Sequence, residues 1–222
     1  MEMKTRQPQI EAEIYTRAQQ RFADFDDPAH GWEHINRVYQ LTLHIAAQEN
    51  ADPFIAGTAA LLHDIGRLSS DTTHHHAELS AALASEFLSA YPITPEQKDA
   101  ILHAIIAHSY SHGVEPRTPE ARVVRDADRL DALGAIGILR WAITGTLQRT
   151  PQARSYHTDD PFAEQRQPDD RLFLLDHFFI KLFKLEHTMS TETGRKIAQQ
   201  RTAFMRAYLE ELKRELKEVD EL

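Results

Sequence analysis

The sequence predicts an all-α protein built as a single helical bundle, and three observations support this. Apolar residues recur at intervals of three and four along most of the 222-residue chain, which is the period of an amphipathic helix. Helix start signals precede several of these segments. Convincing alternation of apolar and polar residues, which would indicate strands, does not occur. We therefore predict one domain over residues 1–222.

The first half of the chain is predicted to form five helices. They are expected over residues 9–25, 32–49, 52–65, 77–90 and 95–108. Asp52 and Pro53 are suited to the N-cap and the first position of the third helix. Thr94 and Gln97 are spaced as the two partners of a capping box, which marks the start of the fifth helix.

The second half is less regular. Thr118 and Pro119 open a sixth helix that runs to Gly134 or beyond, and residues 135–143 are again apolar. Residues 148–170 are polar and rich in proline, so we expect a long surface loop, and such loops often act as lids. Two further helices are predicted over residues 172–184 and 192–216.

Composition limits the classes of function. The absence of cysteine excludes disulfides and thiolate metal sites, so any metal must be held by histidines and carboxylates. A net charge of -9 argues against a nucleic acid polymer as partner, because binding that backbone takes a basic surface. A local patch of Arg and Lys could still bind a small phosphorylated ligand. No apolar run reaches the length of a membrane span and no signal-peptide core is present, so we expect a cytoplasmic protein with no membrane partner.

One stretch places two adjacent metal-ligand types at the end of an apolar helix. In residues 61–66, His63 and Asp64 are predicted in the last helical turn, and Gly66 is predicted to close the helix in the left-handed conformation. A helix C-terminus carries partial negative charge and favours a cation. Adjacent helical residues point about 100° apart, so both can reach one ion only beyond the helix end. Taken alone, the pair is better explained by a local cap at Asp64 and a hydrogen-bonded core histidine at His63, because such pairs are common by chance.

Two other helices carry residues that could complete a metal site. His34 lies one turn before Val38 on the apolar face of the second helix. Asp128 lies one turn after Val124 on the sixth helix. Together these residues give the order His, His-Asp, Asp across three predicted helices.

This order resembles the HD-domain superfamily of metal-dependent phosphohydrolases. The resemblance is closest to small single-domain bacterial HD proteins, which include manganese-dependent nucleotide pyrophosphohydrolases, and it covers most of residues 28–205. It implies that His34, His63, Asp64 and Asp128 are the metal ligands. It also implies a metal-site core over about residues 28–135, with helices 172–216 packed on it. The segments that carry the closer match are residues 34–38, 107–111, 126–137, 160–163, 175–178 and 181–185.

Two imidazoles and two carboxylates leave about two positions of an octahedron for water or substrate. Mn²⁺ is the favoured ion, with Mg²⁺, Co²⁺, Ni²⁺ or iron as alternatives. Some HD relatives bind a second metal ion with further histidines. The resemblance places His76 and His108 at the sequence positions of those extra ligands. A capping or solvated histidine at position 76 and a satisfied core histidine at position 108 are the alternatives.

The chain also departs from parts of the superfamily. Some HD nucleotidases place a glutamate three residues after the HD aspartate, where this chain has Arg67. The second signature of cyclic-dinucleotide phosphodiesterases is absent, because Ser109 follows His108 directly. Asp131, one turn from Asp128, is the candidate for a base or a water-orienting group. An ordinary helix salt bridge explains Asp131 equally well.

Phosphate binding requires cations, and three residues are the best candidates. Arg37 lies one turn after His34, and Lys181 and Lys184 are three residues apart on a predicted helix. We expect Arg67 to be a surface charge. The sequence therefore predicts a metal-dependent phosphohydrolase of small nucleotides, most simply one that cuts nucleoside triphosphates to monophosphate and pyrophosphate. A phosphodiesterase or phosphomonoesterase, or a non-catalytic nucleotide sensor, are the alternatives, and the oligomeric state is not predicted.

Overall fold

The computed structural model describes the backbone of residues 2–220 and the side chains of residues 7–147 and 149–219. Within this range it contains no strands, only an isolated bridge between Arg154 and Phe173, which confirms the predicted all-α class. Met1, Glu221 and Leu222 of the predicted domain lie outside the described residues. The α-helices are α1 (Glu2–Phe22), α2 (Trp32–Glu49), α3 (Pro53–Leu62), α4 (His76–Leu88), α5 (Pro95–His108), α6 (Pro119–Asp131), α7 (Gly134–Gln148), α8 (Phe183–Leu185) and α9 (Glu192–Asp220).

The chain divides into two compact units. The first comprises Met1–Asp128 with Ser190–Gly194, and the second comprises Arg129–Met189 with Arg195–Leu222. The boundary falls inside α6, between Asp128 and Arg129. That the whole chain behaves as one domain stays a prediction.

Helix α3 forms the centre of the first unit. It packs against α1, α2 and α5, and eight of its ten residues are buried, as expected for a helix that is apolar on all sides. The predicted start of α3 is confirmed, because the Asp52 carboxylate accepts hydrogen bonds from the amides of Phe54 and Ile55. The capping box of α5 is confirmed as well, with reciprocal bonds between Thr94 and Gln97. Both signals are local, which is why the sequence was sufficient to predict them.

The end of α3 differs from the prediction. The helix stops at Leu62, so His63 and Asp64 follow it and precede a 3₁₀ turn over Ile65–Leu68. The predicted left-handed conformation of Gly66 is wrong, because the described glycines with positive φ are Gly113 and Gly134. A Cβ atom at Gly66 would lie 2.4 Å from the His76 carbonyl oxygen and 2.5 Å from the Ser80 amide nitrogen. Glycine is therefore needed because α4 passes close to this turn.

The second unit contains α7, a long loop over residues 149–173, a series of short turns and most of α9. The predicted helix over residues 172–184 begins at Leu174, and it is not a regular α-helix. A 3₁₀ turn over Leu174–Asp176, a π-helical turn over Phe178–Leu182 and α8 follow one another along this segment. Phe178 is fully buried against Trp141 and Tyr208, so this aromatic residue belongs to the core of the second unit.

None of the described helices by itself is long and apolar enough to cross a bilayer. Pro119–Asp131 taken with Gly134–Leu147 meets the length and composition criteria, but this pair is bent by 69° at the break.

Candidate metal centre

Two buried histidines from different helices meet in the first unit. His34 projects from α2, and His63 follows the last residue of α3. Their Nε2 atoms are 3.2 Å apart, and the side chains are 1 % and 0 % exposed. Two imidazole nitrogens this close require a shared proton or a shared ion between them.

Two carboxylates approach the same pair of nitrogens. Asp64 Oδ2 lies 3.8 Å from Nε2 of both His34 and His63. Asp128 Oδ1, from α6, lies 3.4 Å from His34 Nε2 and 3.8 Å from His63 Nε2. The structure therefore brings together all four residues that the family resemblance implies as ligands. One group of donor atoms within 4.8 Å of one another contains His34, His63 and Asp128, and a second contains His63, Asp64 and His108.

Backbone carbonyls at helix ends set the orientation of two of these histidines. His63 Nδ1 lies 2.7 Å from the Ala60 carbonyl oxygen, and His108 Nδ1 lies 2.5 Å from the Ile105 carbonyl oxygen. Such carbonyls lack an amide partner in the last turn of a helix, so they are available to accept Nδ1–H. The remaining lone pair is then on Nε2, the nitrogen that faces the aspartates. A carbonyl in this position is a common outer partner of metal-binding histidines.

Asp64 carries a charge that its described neighbours do not fully satisfy. The side chain is 2 % exposed, and its Oδ1 atom has no hydrogen-bond partner among the described residues. Burial alone would raise the pKa of Asp64, but the nearby His63 and Arg67 hold it well below its ordinary value. Burial lowers the pKa of His63 to about 4, so that ring is neutral at pH 7. An anionic oxygen that faces neutral imidazoles fits a divalent cation.

His76 and His108 extend the cluster around the same aspartate. The Nε2 atom of each lies 3.7 Å from Asp64 Oδ1. His76 is the first residue of α4, and burial with the nearby Arg67 lowers its pKa to about 3. His108 is buried at the end of α5, and its pKa is raised because the aspartates outweigh the effect of burial. The two distances, and not the pKa values, place both rings where a second ion could be bound.

Arg67 does not behave as the surface charge that we predicted. Its Nε atom donates to Asp64 Oδ2 at 2.7 Å, and only 30 % of its side chain is exposed. The 3₁₀ turn after α3 brings the two residues together, because positions three apart share a face in that geometry. The spacing of Asp64 and Arg67 could have indicated this contact from the sequence.

The other predicted site residues lie as follows. Arg37 is partly buried on α2, one turn after His34. In the second unit, Asp131 is buried and its carboxylate lies 3.3 Å from Arg140 Nη1. Lys181 and Lys184 are exposed on the π-helical turn and on α8. Their roles in catalysis or in phosphate binding stay predictions.

Two structural features were missed by the sequence analysis. His75 caps α4, since its Nδ1 accepts a hydrogen bond from the Ala77 amide. In the second unit, His177 Nδ1 lies 2.7 Å from Asp170 Oδ2. A histidine seven residues from an aspartate across a loop gives no periodic signal, so this pair is visible only in the folded chain.

Comparison with known proteins supports the same family. Residues 31–133 match the model of the HD domain family. The uncharacterized protein YpgQ of Bacillus subtilis is 31 % identical over 200 residues, which is 88 % of each chain. Its crystal structure in complex with ADP superposes with a TM-score of 0.73 at 32 % identity, over 94 % of this chain and 96 % of that one. An HD-superfamily hydrolase from Bacillus thuringiensis gives a TM-score of 0.73 at 29 % identity, over 95 % of this chain and 98 % of that one.

A shorter similarity connects the HD region to a second group. Ribonuclease Y of Chloroflexus aurantiacus is 40 % identical over 99 residues, which is 44 % of this chain and 18 % of that protein. The similarity to YpgQ spans most of both proteins. The chain therefore belongs to the HD-domain superfamily of metal-dependent phosphohydrolases.

Proposed function

We propose that this protein is a nucleoside triphosphate pyrophosphohydrolase, which releases pyrophosphate and a nucleoside monophosphate. The observation that carries the proposal is the convergence of His34, His63, Asp64 and Asp128 in a chain whose relative YpgQ was crystallised with ADP. A buried set of nitrogen and oxygen donors suits a divalent ion, and ADP is a nucleotide with a phosphoanhydride. The two together favour phosphoanhydride hydrolysis in a small nucleotide.

The four converging residues are the proposed ligands of the ion, with Mn²⁺ favoured over Mg²⁺, Co²⁺, Ni²⁺ and iron because the set mixes imidazoles with carboxylates. When bound, such an ion supplies Lewis-acid charge and lowers the pKa of water. Asp64 Oδ1 has no hydrogen-bond partner in the described part of the chain, and His76 and His108 are each 3.7 Å away, which supports room for a second ion. The backbone carbonyls behind His63 and His108 hold both rings ready for this role.

Cationic side chains are proposed to bind the phosphates. Arg37 is the first candidate because it is one turn from His34 on α2, and its planar guanidinium suits phosphate oxygens. Lys181 and Lys184 are the next candidates. Asp131 is proposed to orient the attacking water, and its ion pair with Arg140 supports the alternative of a purely structural role.

Two observations favour other functions. The identity with ribonuclease Y favours a phosphodiesterase on the same scaffold, although a net charge of -9 favours small substrates over polymers. Arg67, bound to Asp64 where some HD nucleotidases have a glutamate, favours a non-catalytic metal-dependent nucleotide sensor. These alternatives differ in products, so product analysis separates them.

A substrate panel tests the proposal. The purified chain would be incubated with ribo- and deoxyribonucleoside triphosphates, ADP, a nucleoside monophosphate and a short oligoribonucleotide. Each reaction would be run with Mn²⁺, Mg²⁺, Co²⁺ and Ni²⁺. Pyrophosphate with monophosphate as the first products supports the proposal. Shortened oligonucleotides would support a phosphodiesterase, and tight metal-dependent binding without turnover would support a sensor.

A further inference from the structure

A histidine and an aspartate meet in the second unit, outside the histidine and aspartate cluster described above, and a lysine follows four residues later on the adjoining π-helical turn. His177 Nδ1 lies 2.7 Å from Asp170 Oδ2, and each side chain is 30 % exposed. Lys181, four residues later and exposed, is close enough to lower the pKa of His177 by its charge. These three residues therefore combine an oriented imidazole with an ammonium group on a solvent-accessible surface.

The loop that carries Asp170 is held in place by a buried ion pair. Asp176 is 0 % exposed and accepts two bonds from Arg166, at 2.5 Å from Nη1 and 2.7 Å from Nη2. Its Oδ2 atom also accepts a bond from the Asp169 amide at 2.6 Å. Asp176 thus fixes the residue before Asp170 and directly precedes His177. The Asp170 and His177 pair is therefore positioned by the hydrogen bonds that the buried Asp176 accepts, and not by contacts between exposed side chains alone.

The backbone around His177 is unusual. His177 precedes the π-helical turn Phe178–Leu182, in which the Phe183 amide donates to the Phe178 carbonyl. Short π-helical segments are rare and frequently occur at functional sites. Here the turn contains Lys181, and the buried Phe178 anchors it to the unit.

The chemistry of the Asp170 and His177 pair indicates what it can bind. Burial lowers the pKa of His177, with Lys181 adding to the effect and Asp170 opposing it, so the free ring is neutral at pH 7. Its Nδ1–H then donates to Asp170, and Nε2 carries the lone pair. A terminal phosphate has a second pKa of about 6, so it can bring the proton that Nε2 lacks. The negative charge of the phosphate also attracts the ammonium group of Lys181.

We propose that Asp170, His177 and Lys181 form a binding site for the terminal phosphate of a nucleotide. Lys181 supplies charge, His177 Nε2 shares one proton with a phosphate oxygen, and Asp170 is the positioning residue that stabilises the charged ring. The proton is that of the phosphate itself or one taken up from solvent, so binding weakens as pH rises. Asp170 and Lys181 are the charged groups that face His177. The identification of the ligand as a nucleotide rests on the proposed function.

Histidine ring NMR on the full-length, metal-free chain tests the site directly. The ring signals of His177, assigned from the His177→Gln spectrum, would be followed during titration with inorganic pyrophosphate, ADP, AMP and adenosine. We expect the three phosphate-bearing ligands to shift these signals and to raise the pKa of His177. Adenosine should leave them unchanged.

Variants then separate the roles. His177→Gln and Lys181→Met should each weaken ADP binding about tenfold, the usual size of one charge-assisted contact. Asp170→Asn should remove most of the pH dependence of binding, which a merely structural residue would not do. The matched controls are His187→Gln, from the exposed histidine of the next turn, and Lys217→Met, from exposed α9. Both should bind ADP as the wild type does.

The outcomes are distinct from those of the substrate panel. Unchanged His177 signals at saturating ADP, or equal losses in His177→Gln and His187→Gln, would overturn the site. A response to adenosine equal to that of ADP would also overturn it, because the base and not the phosphate would then be recognised. The proposed site and the proposed function can also fail separately. If pyrophosphate shifts the His177 ring signals but the chain releases no pyrophosphate from nucleoside triphosphates, the site is supported and the proposed function is refuted.

Discussion

Asp64 in the first unit and Asp176 in the second are both buried carboxylates, with 2 % and 0 % exposure, yet their surroundings differ. Asp176 accepts three hydrogen bonds, two from Arg166 and one from the Asp169 amide. Asp64 accepts one bond from Arg67 at Oδ2, whereas its Oδ1 has no hydrogen-bond partner among the described residues. A buried charge that is fully satisfied stabilises its surroundings, whereas an incompletely satisfied one marks a place for a ligand.

The neighbours of the two aspartates differ in the same way. Asp176 organises a loop through a guanidinium, which is always charged. Asp64 lies among imidazoles, which can be neutral and offer lone pairs to an ion. The comparison therefore separates a scaffold in the second unit from a candidate metal centre in the first, and variants of the two clusters can test this distinction.

The largest effect is expected for Asp64→Ala. Loss of a metal ligand should reduce metal affinity by more than about a hundredfold and remove most activity, since even outer-shell changes at metal sites cost about 10–100-fold. Elemental analysis of the purified variant measures bound metal, and circular dichroism checks its fold. The control is Asp71→Ala, in the loop after the 3₁₀ turn Ile65–Leu68, and this variant should retain metal. Wild-type metal content in a folded Asp64→Ala chain would show that the site is misassigned.

His108→Ala addresses how many ions the first cluster holds. If His76 and His108 complete a second site, the wild type should bind about two ions and the variant about one. Isothermal titration with Mn²⁺ and elemental analysis both report this number. A single ion in the wild type, unchanged in the variant, would leave His108 as an outer partner of Asp64.

Asp176→Ala should lower stability without affecting metal. Removing one partner of a buried ion pair typically costs about 3–5 kcal/mol, and the lower end is expected because Arg166 is 18 % exposed. Urea unfolding measures the loss, and metal content per folded chain should equal that of the wild type. If the variant instead lost metal while keeping its stability, the contrast between Asp64 and Asp176 would be reversed.

Arg37→Lys tests the phosphate-binding side of the first unit. The substitution keeps the charge but loses the planar pair of donors, so kcat/KM should fall by one to two decades, or about 2–3 kcal/mol of transition-state stabilisation. Metal content and melting temperature should stay near those of the wild type. Activity within about twofold of wild type at equal metal loading would leave Lys181 and Lys184 as the leading phosphate ligands.

The smallest expected effect is a loss of stability of the metal-free chain in mild acid. The pKa values of His63 and His76 in the folded state, about 4 and 3, lie below their ordinary value of 6.5. Between pH 6.5 and 4 the unfolded chain therefore binds more protons, and the free energy of unfolding should fall as pH falls. The raised pKa of His108 acts in the opposite sense, and its contribution to stability is largely complete once the pH is below the unfolded value of 6.5.

Urea unfolding at pH 6.5 and 4.5 measures this loss. We expect about 1–3 kcal/mol, most of it from the fully buried His63, because His76 is partly exposed and its contribution is screened. His76→Gln should reduce the loss, and His74→Gln, from the exposed neighbour, should not. A chain that is as stable at pH 4.5 as at pH 6.5 would contradict the neutral, buried state assigned to His63.

The sequence by itself determined the helical class, the caps of α3 and α5, and the candidates for the metal ligands. The helical class follows from the spacing of apolar residues along the chain. The caps follow from side chains that accept hydrogen bonds from amides two or three residues away, so a short stretch of sequence is enough to predict them. The ligand candidates came from residue order and family resemblance, and the proximity of His34, His63, Asp64 and Asp128 agrees with them.

Tertiary structure decided the features that depend on partners distant in sequence. Gly66 is required by the approach of α4 and not by its own backbone conformation. The 172–184 segment takes 3₁₀ and π-helical geometry, in place of a regular α-helix, where the buried Asp176 bonds to the preceding loop. The Asp170 and His177 pair depends on the same loop. In each case the local conformation is determined by burial and by contacts between segments that are distant in sequence. The spacing of apolar residues along the chain does not contain this information.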